Sequence, residues 1–321
     1  MSGPGDSHQA APLDLDLAAS DAAPTGRAAW LRADDGVRLR VAEWLGRGAR
    51  GTVLLFPGRT EYIEKYGPTA ADLAERGYHV AVIDWRGQGL SDRLLARPEP
   101  GHVTRFADYQ RDVAALIGHA RARDLPRPWF VLAHSMGGAI ALRALLNGLP
   151  VQAAAFSAPM WGIDLGALPQ VAARAIAGTG RLLRMGGAIV PGSSRQTLVL
   201  TTDYAANPLT SDQAQFQRLR DHATARPDLV LGGPTLTWVA EALAECRALA
   251  ALPSPDLPAL TGLGTDEAVI APQAIRDRMR NWPEGRLVPY QGARHELLME
   301  TPDIRRRFLD AVDALFRGAR G

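Results

Sequence analysis

The sequence predicts a doubly wound, mostly parallel α/β sheet that carries an inserted helical cap. Three observations predict it. Short apolar runs alternate with helical patterns between residues 52 and 156, a spacing that calls for parallel strands joined by crossover helices. Near residue 160 that rhythm gives way to helical patterns broken by Gly and Pro, and it resumes near residue 257. Gly58, Asp84, Ser135 and Ser157 all fall where a strand ends, the edge at which such sheets place their chemistry.

Taken in order, residues 1–29 are rich in Ala, Asp, Pro and Gly and lack the basic and apolar regions of a signal peptide, so a disordered tail is expected. Residues 30–44 alternate around Asp35-Gly36, the pattern of a hairpin. Thr52-Val-Leu-Leu-Phe56, closed by Pro57-Gly58, reads as a buried strand. A helix over 69–76 stops at Gly77, and a strand over 78–84 runs into the loop Trp85-Arg-Gly-Gln-Gly-Leu-Ser91. A helix over 106–123 follows, then a strand from residue 130 that turns at Ser135 into a helix ending at Leu146, then a strand over 151–156. After the insertion come a strand over 257–264, a helix over 272–281, a strand over 285–291 and a helix over 304–316. The expected division is a tail at 1–29, a core in two parts at 30–159 and 247–321, and a cap at 160–246.

Composition narrows the function. A formal net charge of +2 on 321 residues gives no footprint for nucleic acid. Cys246 is the only cysteine, so no intramolecular disulfide can form, and its helical surroundings make it a packing residue. No run reaches the ~18 apolar residues of a membrane span. The expected location is the cytoplasm, with the cap available for peripheral contact with the inner membrane.

The chemistry centres on Ala133-His134-Ser135-Met136-Gly137, a strand-to-helix turn that matches the nucleophile elbow G-x-S-x-G except for Ala133. Glycine is favoured two residues either side of the nucleophile because the chain is crowded there, and alanine adds one methyl group. A serine hydroxyl needs a base. Of seven histidines, His295 alone lies directly after the last strand and before the last helix, where the base is expected. The acid should follow the strand at 257–264, where Glu267 and Asp266 compete; the spacing ahead of Val269-Ile270 favours Glu267. The acid orients the imidazole and stabilises its charged form. The backbone amides of Met136 and Arg59 are the candidate oxyanion donors.

These segments resemble the α/β-hydrolase superfamily, and within it the monoacylglycerol lipase and bacterial lysophospholipase branch. The specific parts are the Ala-His-Ser-Met-Gly-Gly elbow and Gly232-Gly-Pro-Thr-Leu-Thr-Trp-Val239. The resemblance implies Ser135 as nucleophile, His295 as base, Glu267 as acid, the Arg59 and Met136 amides as oxyanion donors, and no metal or organic cofactor. It implies an ester hydrolase for a single-chain lipid, a lysophospholipid first. A monoacylglycerol or a broad range of carboxylic esters comes next, and an aminopeptidase or a catalytically retired binding module is remoter. Between residues 165 and 202 there is no acidic residue but four arginines (Arg174, Arg181, Arg184, Arg195) among apolar residues. Such a surface suits an anionic membrane, or else an acyl-pocket lining in an arginine-rich protein.

Overall fold

The computed structural model describes residues 9–19, 26–48, 50–164 and 186–319. Among them nine strands form one sheet: β1 (Ala10–Ala11), β2 (Arg27–Arg32), β3 (Arg38–Trp44), β4 (Thr52–Phe56), β5 (His79–Asp84), β6 (Trp129–His134), β7 (Ala154–Ser157), β8 (Ala259–Gly264) and β9 (Gly285–Tyr290). Their order is β1-β2-β3-β5-β4-β6-β7-β8-β9. β1 to β3 pair antiparallel, β3 joins β5 antiparallel, and every pairing from β5 to β9 is parallel. The helices are α1 (Gly67–Glu75), α2 (Tyr109–Ala122), α3 (Met136–Leu146), α4 (Leu198–Thr201), α5 (Gln213–Ala225), α6 (Leu236–Ala250), α7 (Pro272–Arg280) and α8 (Pro302–Gly318).

The central strands are apolar at consecutive positions because both faces of the sheet are covered. Leu54 and Phe56 of β4 join Val131 and Ala133 of β6 in the core under α2 and α3. Their neighbours Val53, Leu55, Phe130 and Leu132 point the other way, into the core under α1 and α8. The carboxyl ends of β4 to β9 therefore share one edge of the molecule, and the loops after them converge there.

Two expectations need correction. Residues 9–19 and 26–29, expected within a disordered tail, are built into the fold. β1 pairs with β2, Pro12 O accepts from Arg40 Nη1 at 2.9 Å, and Asp14 pairs with Arg226 of the cap at 3.2 Å. Composition could not reveal these side-chain partners, since Arg40 lies 28 positions from Pro12 and Arg226 lies 212 positions from Asp14. The cap also ends earlier than residue 246. That boundary cuts through α6, whose Trp238, Ala242, Cys246 and Leu249 belong to the core under α3, with Arg143 and Glu245 bonded across the two helices at 2.7 Å. The periodicity of α6 specified a helix but not the surface it would cover. The described part of the cap has its own small core of Val199, Phe216, Leu219 and Ala223. Among the described residues no helix is long and apolar enough to cross a membrane.

One buried carboxylate makes the fold sensitive to acid. Glu43 accepts from Arg27 at 3.0 Å and from Arg123 at 3.3 Å, and lies 2.6 Å from His119 Nε2. Burial pushes its carboxyl up, but His119, Arg27 and Arg123 outweigh burial and hold it at about 2, below the ordinary 4.5. A carboxylate depressed in the folded state contributes stability above its unfolded pKa and loses it as pH falls through the folded value. Unfolding free energy from denaturant titrations should therefore fall between pH 4.5 and about 2, and Glu43→Gln should flatten that fall. A Glu43→Gln curve parallel to the parent would remove Glu43 from the account.

Candidate active site

Ser135 sits in the turn between β6 and α3 at φ 49°, ψ −118°, a left-handed conformation that side-chain-bearing residues rarely adopt. The neighbouring backbone holds it there. Ser135 N donates to Ser157 O at 3.1 Å, and Ser135 O accepts from Gly138 N and Met160 N, each at 2.8 Å. A Cβ on Gly137 would stand 2.1 Å from Phe56 O, and one on Gly138 would stand 2.4 Å from Pro159 Cβ. The crowding that demands glycine at 137 and 138 thus comes from the end of β4 and from Pro159. Ala133 lies inside β6, paired with Phe56 and Phe156, where its methyl group packs normally in the core.

Three loops bring a hydroxyl, an imidazole and a carboxylate into line. His295 Nε2 is 2.9 Å from Ser135 Oγ, and His295 Nδ1 is 2.7 Å from Glu267 Oε2. With a carboxylate on Nδ1, the ring keeps its proton on that side and offers Nε2 to the hydroxyl. Glu267 is itself held: its Oε1 accepts from Val269 N at 2.7 Å and from Ile270 N at 3.3 Å. Burial raises its pKa, but His295 and the two amides outweigh burial and leave the carboxyl below its ordinary range. Asp266, one residue earlier, is exposed and accepts from the hydroxyl of Thr265 at 3.1 Å. The loop after β9 is braced by the cap, with Glu296 N donating to Leu209 O at 2.8 Å.

The loop after β4 is held from three sides. Gly58 N donates to Glu61, Gln88 Nε2 donates to Gly58 O at 2.9 Å, and Thr60 N donates to Gln88 Oε1 at 3.1 Å. Between these tethers, the Arg59 amide has no acceptor among the described residues. The Met136 amide opens α3 and is one of the N–H groups that a helix cannot satisfy internally. Both suit an oxyanion, and Arg59 and Ser135 line the same cavity.

Behind this loop lies a buried charge cluster that the sequence did not reveal. Lys65, the only lysine of the chain, donates to both Glu61 and Glu296, and Tyr66 donates to Glu61. Glu61, His134 and Glu296 bring ligand atoms within 4.8 Å of one another, as a cation site would. The Lys65 ammonium already supplies that positive charge. Burial pushes His134 down to about 3 against the pull of Glu61, so it stays neutral beside His295, 4.8 Å away between ring centroids. A single lysine in an arginine-rich chain was the available hint, but its partner Glu296 is 231 residues away.

The cavity above Ser135 has a volume of about 820 Å³, and its walls include Leu198, Val199, Leu209, Leu219, Leu231 and Trp238. The structure thus gathers Ser135, His295, Glu267, Met136 and Arg59 at one place and leaves Asp266 outside it. Arg174, Arg181 and Arg184 lie outside the described residues; Arg195 is exposed. Cys246 is buried against Met160 O at 3.4 Å, and burial pushes its thiol up to about 12.

Comparison with known proteins places the chain among relatives. The family model described as serine aminopeptidase, S33, matches residues 47–302. The chain is similar to lysophospholipase L2 of Escherichia coli strain K12, with 33% identity over 297 residues covering 88% of this chain and 85% of that protein. Among solved structures it is similar to a soluble variant of monoglyceride lipase from Saccharomyces cerevisiae in complex with a substrate analogue. The TM-score is 0.72 at 20% identity, covering 92% of this chain and 97% of that one. A monoacylglycerol lipase from Paleococcus ferrophilus follows at a TM-score of 0.67 and 20% identity, covering 88% and 99%. At that identity the two structures speak for the fold alone.

Proposed function

Since the chain belongs to the α/β-hydrolase family whose model is described as serine aminopeptidase, S33, we propose that it is a serine carboxylic-ester hydrolase. In this reading it cleaves a single-chain lipid, a lysophospholipid, through an acyl-enzyme. The observation that carries the reading is the Ser135–His295–Glu267 relay opening into a largely apolar cavity of about 820 Å³. That volume lies within the usual range for small-molecule sites, and its lining suits an acyl chain. The similarity to lysophospholipase L2 supports the same substrate class.

In this mechanism Ser135 Oγ attacks the ester carbonyl while its proton passes to His295 Nε2. The Arg59 and Met136 amides receive the oxyanion, and Glu267 stabilises the imidazolium. Collapse breaks the bond to the glycerol oxygen, which takes the proton from His295. Water then repeats the sequence against the acyl-enzyme, His295 acting as base, and releases the fatty acid with Ser135 restored. The neutral state of His134 keeps a second positive charge away from the imidazolium.

Lipid entry through the cap from an anionic membrane surface belongs to the same proposal. Arg195 is exposed, and Leu198, which lines the cavity, is 44% exposed close by. The cytoplasm is the proposed location. An aminopeptidase would need a free carboxylate to receive the substrate's α-ammonium, whereas Glu61 and Glu296 on the cavity wall are already bonded to Lys65.

A panel of lysophospholipids, monoacylglycerols, short p-nitrophenyl esters and aminoacyl p-nitroanilides tests the proposal. The expected order of kcat/KM places lysophospholipid first and the anilides last. Short esters far ahead of both lipids would sink the lipid assignment and leave the serine mechanism standing.

A further inference from the structure

The cavity holds a cation that the reaction just described does not use. The Arg59 side chain lines the same cavity as Ser135. Its Nη1 donates to Gly232 O at 3.2 Å, and its guanidinium carbon lies 5.3 Å from the centre of the Trp238 ring. No carboxylate pairs with it among the described residues, and residues 165–185 contain no Asp or Glu. Nε and Nη2 have no protein acceptor there, and neither is among the polar atoms sealed from solvent, so both remain open to a ligand on a side chain that lines the cavity. Burial lowers the guanidinium to about 10, against the pull of Tyr109, which still leaves it charged at neutral pH. A charge kept unpaired in a largely apolar cavity is costly unless a ligand completes it.

The surrounding chain is built to seat this group. Gly232 and Gly233 are clamped by bonds from Gly232 N to Glu99 O (2.8 Å), from Gly233 N to Ser194 O (2.8 Å) and from Gly101 N to Gly233 O (3.1 Å). A Cβ on Gly101 would stand 3.0 Å from Arg59 Nη1, and one on Gly232 would stand 2.2 Å from Arg195 O. Thr235 caps α6 by accepting from Trp238 N at 3.2 Å and also bonds His102 Nδ1 at 2.9 Å. The Gly-Gly-Pro-Thr-x-x-Trp segment and the Gly101-His102 loop, neither of which enters the relay, thus meet around one guanidinium.

We propose that the Arg59 side chain is the anion receptor of this site and binds the phosphodiester of a single-chain phospholipid substrate. The assignment rests on the ester-hydrolase reading above and names the group that selects among its lipids. It also fits in scale. About six covalent bonds separate an arginine's amide nitrogen from its guanidinium carbon, and about six separate the ester carbonyl carbon of a 1-acyl lysophospholipid from phosphorus, roughly 7 Å when extended. One residue can therefore meet the reacting carbonyl with its amide and the phosphate with its side chain. A planar guanidinium with two adjacent free donors matches two phosphate oxygens.

The test is a ratio taken within each variant: kcat/KM for a lysophospholipid over kcat/KM for the monoacylglycerol of the same acyl chain. It is measured for the parent, Arg59→Lys and Arg59→Gln. Arg59→Gln should lower the ratio about 10- to 100-fold, the range for charge-assisted hydrogen bonds, with Arg59→Lys between. The ratio cancels any general loss from disturbing the oxyanion loop. An unchanged ratio in Arg59→Gln overturns the assignment. Should that variant not fold, or should the parent hydrolyse neither lipid, inhibition of the parent's short-ester hydrolysis decides. Glycerophosphocholine should then inhibit well below the concentrations at which glycerol does, and inhibition no better than by glycerol overturns the proposal. Inorganic phosphate inhibiting as strongly as glycerophosphocholine assigns the seat to a free anion and overturns the head-group assignment. Failure of the parent on both lipids, by contrast, counts against the lipid-ester reading itself.

Discussion

Replacing Ser135 with alanine is expected to lower kcat for ester hydrolysis by about 10⁵- to 10⁶-fold, the loss found when a serine hydrolase is deprived of its nucleophile. Covalent labelling by a fluorophosphonate should disappear with it. The fold should survive, because the substitution removes one oxygen and leaves the backbone bonds to Ser157, Gly138 and Met160 in place. The strain at φ 49° is the same for either side chain. Circular dichroism and the unfolding midpoint should therefore match the parent. A variant that keeps its labelling, or loses less than tenfold in kcat, would show that Ser135 is only a turn residue and would return the chain to the class of retired hydrolase folds.

The second large effect separates two adjacent carboxylates. Glu267→Gln should cost about 10³- to 10⁴-fold in kcat, because an amide cannot stabilise the imidazolium and invites the wrong tautomer of His295. Asp266→Asn should change kcat less than twofold, since the Asp266 side chain is exposed and accepts from its neighbour Thr265, and its backbone bond to Ala293 O is untouched by the substitution. Glu267 is held in its charged form by His295 and by the amides of Val269 and Ile270 despite burial. The loss should therefore be as large at pH 6 as at pH 8. A larger effect from Asp266→Asn than from Glu267→Gln would move the acid by one residue and contradict the 2.7 Å contact to His295 Nδ1.

The relay was legible because its parts obey local rules. The turn that matches a nucleophile elbow is written in five consecutive residues, Ala133 to Gly137. His295 and Glu267 follow identifiable strands, and the fold has one edge at which those strands end. Even the ambiguity between Asp266 and Glu267 was local, a matter of which way one loop residue turns. The support beneath the relay was not legible. Lys65 reaches Glu296 across 231 positions, and nothing in either residue's neighbourhood announces the other. The sequence points to the Arg59 amide alone, because the side chain gains meaning only when Gly232 and Trp238 arrive from far along the chain.

Residue order alone was enough for the class of sheet, the places of Ser135, His295 and Glu267 after its strands and the presence of an insertion. Each follows from periodicity, glycine placement or the short reach of a turn. Folding in three dimensions set how residues 9–19 latch onto core and cap, that α6 belongs to the core, and which charges are neutralised and which stay open. The physical reason is range. Backbone preference and side-chain period act over a few residues, whereas burial and charge pairing depend on groups brought together from opposite ends of the chain. Ala133 shows both sides of that division. The sequence marks it as a departure from the elbow motif, and only the packing of β6 between β4 and β7 explains why the turn accepts it.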